Sequence, residues 1–167
     1  MYDDNFLYVF YKVRDRYVRG IMKKDQDMVC LDSCMELFIM PNGKGKYFNF
    51  EMNAGGSLTL MYIEDPSRIP GGFKKAVRLP DELCAKVEII HTLPKLVPQE
   101  MPGPTDWELR CRIPFSIFEK YVGKLDVPMP ELTPEEIAEE ERIKQEKLFE
   151  KRKTAYDNGH NKLKHQL

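Results

Sequence analysis

Tyr47-Phe48-Asn49-Phe50-Glu51-Met52-Asn53 alternates without a break. In an extended chain Phe48, Phe50 and Met52 fall on one side and Tyr47, Asn49, Glu51 and Asn53 on the other, because successive side chains of a strand point to opposite faces. Before this strand, the segment from Pro41 to Lys46 opens with Pro41-Asn42-Gly43, whose Asn-Gly pair tolerates positive φ and reverses a chain between strands. The stretch Cys34 to Met40 that leads into that turn reads as the preceding strand. Phe6-Leu7-Tyr8-Val9-Phe10-Tyr11, aromatic and branched throughout, reads as an earlier one. After it, Gly55-Gly56 breaks the pattern and Leu58 to Ile63 resumes a strand.

Farther along, Ala85 to Thr92 is a candidate strand, and Trp107 to Ile113 has a period of two. Trp107, Leu109, Cys111 and Ile113 are expected inward, and Glu108, Arg110 and Arg112 outward. Pro114 halts that strand and suits the start of a short helix, Phe115 to Tyr121. Asp65-Pro66, Ile69-Pro70-Gly71-Gly72 and the prolines at 94, 98, 102 and 104 read as loops. Short strands joined by turn-rich connections predict an all-β fold, a β-sandwich. A charged C-terminal α-helix follows. Thr133-Pro134-Glu135-Glu136 is a capping box with proline at the first helical position, and the helix is expected to run to about Tyr156 before Asn158-Gly159. The chain thus divides into a sandwich over 1–127 and a charged tail over 128–167, the latter a possible surface for a protein partner.

Composition excludes several classes. The 167 residues carry Lys+Arg 26 against Asp+Glu 27, far from the cationic excess of a general nucleic-acid binder. No apolar run approaches the roughly 18–20 residues of a membrane span. Asp3 and Asp4 stand where a secretion signal would carry cations, so no signal peptide is expected, and location stays unread. Of the four cysteines, Cys30 and Cys34 read as lying four residues apart in a strand-like segment, too far apart to bridge. No Cys-x-x-Cys or clustered histidine points to a metal site, and no cofactor is expected.

The stretch from Leu7 to Gly123 resembles the family 9 carbohydrate-binding modules. The resemblance is carried by Leu7-Tyr8-Val9 with the later Val18-Arg19-Gly20, by Asp32-Ser33-Cys34-Met35-Glu36-Leu37-Phe38-Ile39, by Lys46 to Gly56, by His91-Thr92-Leu93-Pro94 and by Trp107 to Gly123, in the family's order. It implies a two-sheet antiparallel β-sandwich of jelly-roll or immunoglobulin-like type, and non-catalytic binding of an oligosaccharide or polysaccharide on a sheet face or in a shallow groove, in association with glycan degradation. Such binding stacks sugar C–H faces on aromatic rings and meets hydroxyls with directional acceptors and donors. Glu36 matches the family's strand glutamate. Asn49, Glu51 and Asn53, with Tyr47, complete the expected ligand-binding face. Three departures stand beside the matches. Cys30 occupies the place of the family's stacking tryptophan, and the family's opening strand and its closing aromatic segment after the Ile-Pro-Phe helix have no counterpart here. Tyr47, Tyr62 or Phe73 would have to supply the missing aromatic wall.

Other readings of the same residues are blander. Glu36 and Glu51 could form a glycosidase pair, but nothing in the sequence announces a desolvated pocket, so no catalytic residue is assigned. Asp25, Asp27 and Asp32 share one loop region and could hold a structural calcium ion, though the spacing is common. Trp107 is expected in the core, and His91 at the core edge bonding a carbonyl. The competing function is a sandwich that has lost sugar binding and engages a protein through its edges and its C-terminal helix.

Overall fold

The computed structural model describes residues 1–126 and Arg142; the helix expected from Thr133 and the rest of the 128–167 tail lie outside the described residues. Seven strands and two short helices follow in the order β1 (Phe6–Gly20), β2 (Cys34–Ile39), β3 (Tyr47–Asn53), β4 (Leu58–Ile69), β5 (Gly72–Arg78), α1 (Asp81–Cys84), β6 (Glu88–His91), β7 (Val97–Pro114) and α2 (Phe115–Val122). They form two antiparallel sheets, β1-β7-β6 and β2-β3-β4-β5, so the fold is a β-sandwich.

The alternation in β3 does what it predicts. Phe48, Phe50 and Met52 lie in the core, and their cross-strand partners Tyr62, Leu60 and Leu58 on β4 join them. The second sheet answers with Trp107, Leu109, Cys111 and Ile113, all buried. The Cys111 thiol lies 3.1 Å from the Met52 sulfur, one point where the two sheets touch. At one end α2 closes the core: the Phe118 ring sits 5.0 Å from Phe48 and 6.0 Å from Phe50, both edge-on. Edge-on contact at such separations suits the ring quadrupoles.

Several elements differ from the sequence expectation. β1 does not end near Tyr11 but runs to Gly20, paired with a β7 that begins at Val97. Prolines 98, 102 and 104 therefore lie within a strand rather than in loops. They are tolerated because β6 pairs β7 only over Leu109 to Arg112, leaving the earlier half of β7 bonded to β1 alone. Pro98 and Pro104 fall where the register shifts, positions at which no ladder N–H is required. β4 likewise continues through Asp65-Pro66 with two irregularities, and β5 follows the Pro70-Gly71 turn as an unanticipated strand. β6 is shorter than the expected Ala85 to Thr92.

Cys30 is not in a strand. It sits in a single 3-10 turn, Val29–Leu31, and all four cysteines are free thiols. Gly55-Gly56 is more than a strand breaker. A Cβ on Gly55 would meet the Lys95 carbonyl oxygen at 2.4 Å, and one on Gly56, whose φ is +76°, would meet the His91 ring at 2.4 Å. The β3–β4 turn is thereby packed under the segment after β6, and His91 bonds the Leu93 carbonyl through Nδ1 at 2.7 Å.

Candidate functional site

The outward face of β2-β3-β4-β5 is set by register. Glu36 stands opposite Glu51, Phe38 opposite Asn49, and Cys34 opposite Asn53. On the other side of β3, Glu51 faces Thr59, Asn49 faces Met61 and Tyr47 faces Ile63, while Met61 faces Arg78 on β5. Four of the five expected ligand-binding residues, Glu36, Asn49, Glu51 and Tyr47, are thus brought together on one flank.

One end of this flank is aromatic. Phe38 is 56% exposed, and its ring meets Tyr47 at 5.9 Å, inclined at 65°. Tyr47 in turn meets Phe73 on β5 at 6.4 Å and 85°. The Arg68 guanidinium lies over the Phe73 ring at 3.9 Å, a cation–π contact that fixes its far side. Glu64 holds this end together by pairing with Lys46 at 3.3 Å and Lys75 at 3.0 Å. Tyr62, the other aromatic considered for this wall, is in the core, its ring 4.8 Å from Phe48.

The neighbouring part of the flank is polar. Asn49 is 2% exposed; its Nδ2 donates to Glu51 Oε1 at 3.0 Å, and among the described residues its Oδ1 has no donor. Glu51 is 9% exposed, whereas Glu36 is open to solvent. Burial pushes the Glu51 carboxyl above its ordinary value of 4.5, the charge of Glu36 raises it further, and the Asn49 amide and Arg78 pull the other way. The Cys30 thiol stands close enough to feel the Glu51 charge, so the residue in place of the family's tryptophan does border the site, without offering a ring. Burial and the Glu51 charge raise the Cys30 thiol in turn. From the core side, the Tyr11 hydroxyl donates to the Glu36 carbonyl at 3.1 Å and pins the middle of β2.

Asn53 departs from its expected role. Its side chain is wholly buried, donating to the Met22 carbonyl at 2.7 Å and to Asp32 Oδ2 at 2.8 Å, while its Oδ1 accepts from the Ser57 amide at 2.8 Å. It has the parity of the ligand face, but the 21–33 segment folds over that end of the sheet and claims it. The three aspartates considered for calcium belong to the same lacing. Asp32 accepts the amides of Ile21 and Met22, Asp25 accepts that of Leu58, and Asp27 accepts that of Lys24. Among the described residues no group of three or more His, Cys, Asp or Glu side chains is placed to hold a metal ion.

Sequence reasoning missed three contributors. Phe38 was discoverable, because it lies two residues beyond Glu36 in a strand and so shares its face. Arg78 and Gln26 were not. Gln26 adopts φ +65°, and its side-chain amide donates to the Leu79 carbonyl at 2.7 Å while its backbone N–H donates to Leu58 O at 2.7 Å. Arg78 donates to the Gln26 carbonyl and lies against the Met28 sulfur. Together they hold the 21–33 segment beside Glu51.

A two-sheet sandwich that sets one exposed and two half-buried rings beside an amide and carboxylates on one sheet face has the make-up of a binding module. Residues 1–126 match the sequence profile of carbohydrate-binding family 9, and the chain belongs to that family. Carbohydrate binding is the function this membership carries. The fold is also similar to the crystal structure of a candidate carbohydrate-binding protein from Bacteroides uniformis, at 28% identity and a TM-score of 0.60 over 70% of this chain. The chain spans half the length of that protein. Among curated proteins none matches the sequence.

Proposed function

We propose that the protein binds glycans without chemistry, on the outward face of β2-β3-β4-β5, with the 1–127 sandwich as the binding domain. The observation that carries this is the row Phe38–Tyr47–Phe73 standing beside Glu36, Asn49 and Glu51 on one flank. Sugar rings stack on the first set, and their hydroxyls donate to the second. The unpartnered Asn49 Oδ1 supports the reading, since a buried carbonyl oxygen without a donor is costly unless a ligand or water supplies one. Tyr47 and Phe73 take over the stacking that Cys30 cannot provide. Asn53 acts indirectly, by seating the loop that carries Cys30. The module works beside glycan-degrading activity, as the family resemblance implies.

A panel of oligosaccharides titrated into the full chain by calorimetry tests this. Affinities between micromolar and millimolar are expected, about -8 to -4 kcal/mol. Absence of heat with every glycan from folded protein would overturn it.

A second reading, a protein-interaction surface, is favoured by one observation. On the outer face of β1-β7-β6, Phe10 and Ile90 are 55% and 68% exposed, and Arg110 lies over the Phe10 ring at 5.1 Å. The 128–167 tail would add to that role.

A further inference from the structure

We propose that the preferred ligand of the polar flank is a glycan with a free amino sugar, its ammonium group seated between Glu36 and Glu51. This rests on the glycan-binding reading and names the sugar class. Glu36 and Glu51 are directly opposed across β2 and β3. Side chains so placed start about 4.5–5.5 Å apart at Cβ, and like charges there repel. Among the described residues no salt bridge engages either carboxylate. Arg78 is the one cation that the register places on this part of the flank, and its guanidinium is turned to the Gln26 carbonyl and the Met28 sulfur. Among the described residues, two carboxylates and one guanidinium leave the flank short of one positive charge.

The second observation is the hydrogen-bond imbalance on the floor. Asn49, 2% exposed, uses its Nδ2 on Glu51 Oε1 and leaves its Oδ1 without a donor. The second oxygen of Glu51, both oxygens of Glu36 and this carbonyl oxygen are all acceptors, and among the described residues no side chain donates to any of them. A sugar hydroxyl brings one donor together with an oxygen that itself needs one. An ammonium brings three donors, no acceptor and the missing charge. Its bonds to carboxylates are charge-assisted and about twice as strong as neutral ones. An N-acetyl group would remove the charge and add a carbonyl oxygen, and a uronate would repel both glutamates.

The test titrates the full chain by calorimetry at pH 6 and low salt with four β-1,4-linked disaccharides, of glucosamine, N-acetylglucosamine, glucose and a uronic acid. The glucosamine disaccharide is expected to bind about tenfold tighter than the glucose one, about 1.4 kcal/mol, with the uronate weakest. That ratio falls to about twofold in Glu36→Gln and in high salt. Equal affinity for the glucosamine and glucose disaccharides, or tighter binding of the N-acetylated one, overturns the amino-sugar assignment and leaves glycan binding standing. Ethanolamine bound as tightly as the glucosamine disaccharide also overturns it, by showing a simple cation site. Failure of all four, together with the wider glycan panel, overturns both.

Discussion

Replacing Asn53 by alanine separates a structural from a ligand-contacting role for this residue. The side chain is buried and makes three hydrogen bonds, at 2.7, 2.8 and 2.8 Å, to Met22, Asp32 and Ser57. Each is worth about 1 kcal/mol net, and the Ser57 amide is left buried without its acceptor, so the loss comes to about 3 kcal/mol. The Met22 carbonyl keeps a bond from the Ser57 hydroxyl at 3.0 Å, and Asp32 keeps the Met22 amide, which limits the loss to that order. For a domain of this size about 3–5 °C of melting temperature follow each kcal/mol, giving a fall of roughly 10–15 °C. Thermal unfolding followed by near-ultraviolet circular dichroism measures it. Sugar affinity extrapolated to well below the transition changes little if Asn53 only seats the loop. A melting temperature within about 3 °C of the parent, with sugar affinity lost, would refute the reasoning and return Asn53 to the ligand.

Glu51→Gln keeps an acceptor for Asn49 and removes the charge facing Glu36. Because the folded carboxyl lies above its ordinary 4.5, the parent is most stable, relative to this variant, below that value and loses that advantage as pH rises through the raised one. The variant should therefore melt higher than the parent at pH 7 and draw level in acid; a difference independent of pH would contradict the account. Gly56→Ala places a β-carbon at φ +76° and 2.4 Å from the His91 ring, so denaturant titration should show a loss of about 2 kcal/mol or more, and a neutral result would contradict the packed turn. Tyr47→Ala removes the central ring of the row and should weaken glycan binding about fivefold, about 1 kcal/mol, in calorimetry while the fold persists. Alkylation of folded protein near neutral pH, read by mass spectrometry, should label Cys30 first and slowly; Cys34 and Cys111, both pushed up to about 12 by burial, should resist. Rapid labelling of Cys111 would show that the sheets are not packed as described.

What the sequence disclosed was local. The alternation of β3 and of Trp107 to Ile113 names the side chains that enter the apolar core, because packing one face on the core leaves a period of two; it does not announce that Asn49, Glu51 and Asn53 on the other face of β3 are buried as well. Glu36, Asn49, Glu51 and Tyr47 inherit their common flank from that period and from the register of β2 on β3. What stayed hidden depends on partners distant in the chain. The first half of β7 keeps Pro98, Pro102 and Pro104 because it has a single neighbour, a fact about β6 rather than about Val97 to Asp106. β5 lacks alternation because nearly all of it is open to solvent. Asn53 has the right parity but lies under a loop that reaches it from more than twenty residues upstream, and the strained Gln26 that fastens this loop carries no signal in its neighbours. Cys30 differs from the expectation in its backbone, a turn in place of a strand, and its thiol there stands close enough to feel the Glu51 charge.

The central claim is spatial: glycan meets the outward face of β2-β3-β4-β5. Nuclear magnetic resonance of the labelled full chain during titration with an oligosaccharide tests it residue by residue. Shifts should concentrate on Glu36, Phe38, Tyr47, Asn49 and Glu51, with Tyr8, Phe10 and Ile90 on the opposite sheet unmoved. Shifts confined to those last three would contradict it.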